Sequence, residues 1–127
     1  MDSARSVIDQ WIGGINAGEI EMVLGMYDEA AVLLPTFSDQ TLESPTAIRG
    51  YFEQLAKRKS LHIQLYDHTF GVQAPGDAAI AYGVYLWKFE VEQELMSFEA
   101  RFTYVLNLDS KSPIVHHHSS QVPKALG

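Results

Sequence analysis

Apolar positions follow a helical period through Leu55 and a strand period beyond Leu61, so the chain divides into a helical first part and a sheet-forming second part. Val7, Ile8, Trp11, Ile12 and Ile15 fall on one stripe ahead of Gly18, a residue suited to a helix C-terminal cap, and predict a first helix. Ile20, Val23, Leu24 and Tyr27 repeat the spacing over Glu19 to Tyr27 and predict a second, shorter one. The apolar run Ala30 to Leu34, stopped by Pro35, reads as a short strand, and Thr36 to Glu43 as a polar loop. Ser44 then caps a third helix, with Pro45 at its first position and Ile48, Tyr51, Phe52 and Leu55 as its buried stripe. Leu61 to Gln73, Ala78 to Phe89, Leu95 to Asn107 and Ile114 to Ser120 read as strands. Turns at Ala74-Pro75-Gly76-Asp77, Val91-Glu92-Gln93-Glu94 and Leu108 to Ser112 separate them, and Lys124 to Gly127 is a short tail.

Three helices followed by a meander of long strands specify an α+β layer in which a curved, mostly antiparallel sheet wraps around the N-terminal helices. Strand parity sorts the sheet's side chains into two faces. A two-residue turn at Glu92-Gln93 sets Ile80, Tyr82, Val84 and Leu86 on the face of Glu99 and Arg101, and an even-length loop after the next strand adds His116 and His118. Tyr85, Trp87, Phe89, Phe98, Phe102, Tyr104 and Val115 fall on the other. The expectation is that the polar-bearing face forms the concave wall of a cavity, and that the aromatic face, through Tyr85, Trp87, Phe98, Phe102 and Tyr104, is covered by a second copy of the chain.

Composition narrows the function classes. Residues 1–127 are expected to form one domain. No apolar run approaches a bilayer span, and Met1 to Arg5 lead into an amphipathic pattern and not a signal peptide, so no membrane association and a cytoplasmic location are expected. There is no cysteine, which removes disulfides, thiolate metal ligands and thiol nucleophiles. A net charge of −7, with no basic cluster longer than Lys57-Arg58-Lys59, argues against nucleic acid as a partner.

The segments Trp11 to Gly18, Met26-Tyr27-Asp28, Ile48-Arg49-Gly50-Tyr51-Phe52, Gly76 to Tyr82, Glu99-Ala100-Arg101-Phe102 and Val115-His116-His117-His118-Ser119 together resemble the association domain of calcium/calmodulin-dependent protein kinase II. They are similar in particular to its stand-alone bacterial relatives in the nuclear-transport-factor-2-like superfamily. The resemblance covers nearly the whole chain. It implies a cone-shaped α+β fold, a deep pocket between the long helix and the concave sheet, and self-association through the sheet as a homodimer or a larger ring. It also implies that Arg101 lines the pocket, whereas a second pocket arginine of the kinase domain falls at Val84 here. No kinase chemistry is implied, because the chain has neither the glycine-rich loop nor the catalytic lysine and metal-binding aspartate motifs.

Candidate chemistry follows from these placements. Arg101 reads either as the partner of Glu99 in an internal ion pair or as the anchor of a ligand carboxylate. Trp11, Tyr27 and Phe52, at helical spacings, read as core and as cavity wall. The expected small-molecule site is therefore Trp11, Tyr27, Phe52, Tyr82, Glu99, Arg101, His116 and His118, for a small acidic or polar-headed ligand. Within the apolar strand, His116-His117-His118 reads as strand and not as a purification tag. His116 and His118 project together, but zinc would need a third ligand from Glu99 or Asp67, and neither a metal nor a cofactor is expected. The superfamily likeness implies an alternative, a cofactor-independent isomerase, dehydratase or hydrolase of the ketosteroid-isomerase-like type. Asp67 or His118 would be its base, with Arg101 and Tyr82 steadying negative charge.

Overall fold

A computed structural model describes residues 3–124. Its elements are α1 (Ala4–Ala17), α2 (Ile20–Gly25), β1 (Tyr27–Leu34), α3 (Pro45–Leu55), β2 (His62–Leu65), β3 (Gly71–Gln73), β4 (Ala79–Val91), β5 (Glu94–Leu106) and β6 (Ile114–Gln121). Met1, Asp2 and, beyond Lys124, the expected tail lie outside the described residues.

Local sequence sets the helix ends. The Ser3 hydroxyl accepts the Ser6 N–H at 3.0 Å to open α1, and Gly18, at φ 71°, closes it in the left-handed conformation that glycine adopts without a Cβ clash. Ser44 caps α3 by accepting the Ala47 N–H at 3.1 Å, with Pro45 in the first turn. The second helix is shorter than its periodicity predicts. It ends at Gly25, and Tyr27 already belongs to β1, paired with Ile114.

The sheet order is β1-β6-β5-β4-β2, with β3 also paired to β4, and all pairs are antiparallel except β1 with β6. The single strand expected over Leu61 to Gln73 is split by one turn of 3-10 helix at Asp67–Thr69. Thr69 explains the break. Its hydroxyl accepts the Val84 N–H at 2.8 Å and donates to the Tyr66 carbonyl at 2.7 Å, so a side chain stands in for the ladder. The β4–β5 hairpin closes through Glu92 and Gln93, both at positive φ, in the two-residue turn expected there.

Parity therefore places residues together as expected: Val84 pairs with Arg101, Leu86 with Glu99, Thr103 with His118 and Val105 with His116. The side on which each face lies is inverted. Tyr85, Trp87, Phe102 and Tyr104, expected on an outer interface, are buried under the helices, and Phe98 is half-buried against Phe37 and Phe89. Tyr82, Glu99, Arg101 and His118, expected to line a cavity, are exposed on the opposite face, and His116 there is half-buried. Area decides the matter. The amphipathic helices must cover the larger apolar surface, and that surface is the aromatic one. Trp11 of α1 stacks on Tyr85 at 5.9 Å between ring centroids and meets Trp87, Tyr104 and Phe52 edge-on. Asn16 fixes α1 at the sheet edge: its amide donates to the Ile63 carbonyl at 2.9 Å and accepts the Ile63 N–H at 2.8 Å.

Candidate functional site

The inverted faces bring inward a residue that sequence reasoning passed over, the middle histidine. Strand alternation turns His117 and Ser119 towards the helices while His116 and His118 face away, and both inward residues are almost fully buried. A bulge in β6 at Val115, where Leu106 pairs with Ile114 but Val105 with His116, sets that parity. Inside the sheet, polar groups can only be tolerated as a connected set, and these are connected.

The chain of bonds begins on α1. Trp11 Nε1 donates to Tyr27 Oη at 3.1 Å, Tyr27 Oη lies 2.8 Å from His117 Nδ1, and Tyr85 Oη lies 3.2 Å from His117 Nε2. Tyr85 donates to Ser119 Oγ at 3.0 Å, and Ser119 Oγ lies 2.5 Å from Thr36 Oγ1 at the end of β1. One protonation pattern satisfies every link. Because the Tyr85 proton goes to Ser119, its oxygen accepts from His117 Nε2–H, which leaves Nδ1 as acceptor of the Tyr27 proton. His117 is thus neutral. Burial, and then the imidazoles of His116 and His118 on either side, holds its pKa well below the usual histidine value. Burial likewise lifts the phenols of Tyr27, Tyr85 and Tyr104 and pushes Tyr51 up to about 12, so all four stay protonated. With both ring nitrogens held by protein hydroxyls, His117 has no lone pair free to take a proton from a substrate.

Beside this chain is a small cavity of about 10 Å³, lined by Trp11, Leu33, Tyr51, Phe52, Tyr85, Trp87, His117 and Ser119, with Pro35 and Thr36. That is room for about one water. Among the described residues two buried groups have no partner within hydrogen-bond geometry: the indole N–H of Trp87 and the hydroxyl of Tyr104, which lies near that of Tyr85 at a separation where the two still influence each other. Next to the cavity, an open cleft of about 570 Å³ lies between α3 and the loop after β1, lined by Phe37, Leu42, Tyr51, Leu55, Lys57 and Arg58 among others. The ring of Tyr51 borders both spaces, and its hydroxyl accepts the Phe37 N–H at 3.4 Å.

Of the expected site residues, the structure brings together Trp11, Tyr27 and Phe52, around His117. It does not bring Arg101, Glu99, Tyr82, His116 or His118 to them. Among the described residues Arg101 makes no ion pair, with Glu99 or any other carboxylate, and Glu99 lies beside the Tyr66 phenol. Asp67 is exposed in the 3-10 turn, 2.5 Å from Arg5 of α1, so the acid/base set of the enzymatic alternative, Asp67 or His118 with Arg101 and Tyr82, does not converge on an enclosed space. Tyr82 instead reaches over Gly71 of β3. A Cβ at Gly71 would come within 2.3 Å of its ring, so glycine is what lets the ring settle there. Among the described residues no three His, Asp or Glu side chains gather as a metal site.

A family model described as calcium/calmodulin dependent protein kinase II association domain matches residues 3–123. The chain belongs to that family. A solved structure described as such an association domain, from Xanthomonas campestris, is 27% identical and superposes with a TM-score of 0.82, covering 98% of this chain and 91% of the other. A nuclear-transport-factor-2-like protein with a cystatin-like fold from Novosphingobium aromaticivorans is 14% identical, with a TM-score of 0.75 over 95% of this chain and 80% of its own. A ketosteroid isomerase-like protein from Erwinia carotovora atroseptica is 10% identical, with a TM-score of 0.75 over 94% of each chain. The last two show the cone-shaped fold alone. No curated protein matches the chain. The association-domain residues missed in the sequence, His117, Ser119 and Thr36, carried one usable signal: among three consecutive strand histidines, the middle one must share the face of Tyr104, whichever way that face points.

Proposed function

We propose that the chain is a self-associating domain that pairs with a second copy through the outer face of β4, β5 and β6 and keeps a small-molecule site under the inner face. The observation that carries the first part is the composition of the outer face. Ile80, Val84, Leu86 and Val105 are half-buried there, around a Tyr82 that is 43% exposed. Arg101 and Glu99 stand beside them as the charged pair nearest the centre of β5, and the parallel edge adds Val32 and Leu34 next to His116 and His118. An apolar row interleaved with an arginine, a tyrosine and a few hydrogen-bonding side chains is what a protein–protein interface presents, and membership of an association-domain family supports a second copy as the occupant. The self-association expected from sequence is retained, and the face that performs it changes sides.

The small-molecule site moves with it, from Arg101 to the open cleft of about 570 Å³ beside α3, which adjoins the one-water cavity of Trp87, Tyr85 and His117 at Tyr51 and has room for a small ligand on an apolar wall.

Sedimentation velocity tests the interface. The wild-type chain should sediment above its 14.2 kDa monomer mass, and Val84→Asp should sediment as a folded monomer with unchanged circular dichroism. A Val84→Asp variant with the wild-type mass distribution would remove the outer face from the account.

A further inference from the structure

We propose that the two-fold axis of the self-associated protein crosses β5 at Ala100, so that Arg101 of each copy pairs with the partner's Glu99. This rests on the outer-face reading given above and adds to it the axis and the residues that select the partner.

Sheet geometry places the axis. β5 is the middle strand of the order β1-β6-β5-β4-β2, and Ala100 has six residues of that strand on either side. Its cross-strand neighbour Tyr85 likewise has six residues of β4 on either side. A two-fold contact buries most area when it is centred on the face the two copies share. The centre of this face is bracketed by one negative and one positive residue, Glu99 and Arg101. Of the outward residues around them, Ile80, Tyr82, Val84 and Leu86 on β4 and Thr103 and Val105 on β5 carry no charge.

The two charges are unsatisfied within one chain. Both are exposed, and among the described residues neither forms an ion pair, although two steps along a strand set them only about 7 Å apart. Strand side chains stand roughly perpendicular to their sheet, so each points at whatever covers the face. An apolar cover would strip water from an unpaired guanidinium and an unpaired carboxylate. A second copy of the same face supplies both missing partners at once. Stacked sheets lie about 10 Å apart, a gap that an arginine and a glutamate span together.

Charge also selects the direction of the axis. With the axis in the interface and across the strands, the two β5 strands face each other antiparallel, and Arg101 stands over the partner's Glu99. Val84, opposite Arg101, then meets the partner's Leu86, because Leu86 is opposite Glu99. With the axis along β5, arginine would meet arginine and glutamate would meet glutamate, which is repulsive. The first arrangement joins opposite charges and aliphatic side chains in one contact, as a desolvated interface centre requires.

Charge reversal tests this on the full chain by sedimentation velocity. Arg101→Glu leaves two acidic residues at the centre and Glu99→Arg two basic ones; both sites are exposed, and circular dichroism should match wild type. Each variant alone should self-associate at least about tenfold more weakly than the wild-type chain, and an equimolar mixture should recover a two-chain species. Native mass spectrometry with one variant nitrogen-15 labelled should show that species as a one-to-one heterodimer. The milder Arg101→Gln and Glu99→Gln should each weaken association and, combined, lose less than the sum of the two. If either charge-reversed variant associates as the wild type does, or if the mixture stays monomeric, the pairing across Ala100 is overturned; with Val84→Asp monomeric, the outer face then stands. If the wild-type chain is itself a monomer, the pairing and the outer-face reading fall together.

Discussion

On the inner face of β4, Tyr85, Trp87 and Phe89 are each 3% exposed or less and meet the rings of α1, the loop after β1 and β5; on the outer face of the same strand, Tyr82 is exposed and Val84 and Leu86 are only half-buried. The two sets alternate residue by residue and share every ladder bond. They differ in apolar area and in what packs against them. The inner set is needed for the chain to fold, whereas the outer set, still largely aliphatic, stays partly open to solvent.

Charging each face is the sharpest way to separate them. Trp87→Asp buries an unpaired carboxylate and removes a fully packed indole, a loss of more than about 4 kcal/mol, and the expected outcome is an unfolded or insoluble chain by circular dichroism. Val84→Asp, three residues away on the other face, should change monomer stability by about 1 kcal/mol or less in urea titration and act on the assembly state. Equal effects on folding would mean that the faces are not distinct.

Acid is the next lever, and it acts through the inner face alone. The folded state holds His117 neutral, with its pKa depressed by burial, while the unfolded chain protonates it near 6.5. Below that value the unfolded state binds the extra proton. Stability from this group is therefore complete above pH 6.5 and falls by up to about 1.4 kcal/mol per pH unit on acidification, until the depressed folded pKa is reached. Urea midpoints measured from pH 7.5 to 5 should show that slope, and His117→Gln, though less stable at pH 7.5, should lose it. An unchanged slope in the variant would place the acid sensitivity elsewhere.

The smallest effect belongs to Tyr104. Its hydroxyl is buried without a partner and its ring stacks on His117 at 3.7 Å, so Tyr104→Phe keeps the stacking and removes only the unsatisfied group. The expectation is a change within about 1 kcal/mol, neutral or stabilising, in contrast to the loss expected for the bonded Tyr85→Phe.

Much of this architecture was legible in the residues, and what was not has a definite cause. Ser3 aside, the caps, the Glu92-Gln93 turn and the cross-strand partners follow from local rules that depend on near neighbours, and the association-domain family follows from motifs spread along the chain. Which side of the sheet the helices cover is a different kind of fact. Parity is symmetric under exchange of the faces, so only a comparison of total apolar area breaks the tie, and Arg101 and the outer histidines drew attention to the wrong side. The Thr69 break in the edge strand was equally invisible, because the hydroxyl's partner, Val84, is 15 residues away.

The bond between Tyr27 and His117 links residues 90 apart in sequence, across the one parallel pair of the sheet. Such a closure requires nearly the whole chain to be in place before it returns any energy, whereas the β4–β5 hairpin turns on two residues and forms locally. On that ground the hairpin is expected to form early and the bonds of the buried histidine late. The polar chain through the core is then expected to govern how slowly the folded protein comes apart more than how quickly it is made, so Tyr27→Phe should raise the unfolding rate and leave the refolding rate nearly unchanged.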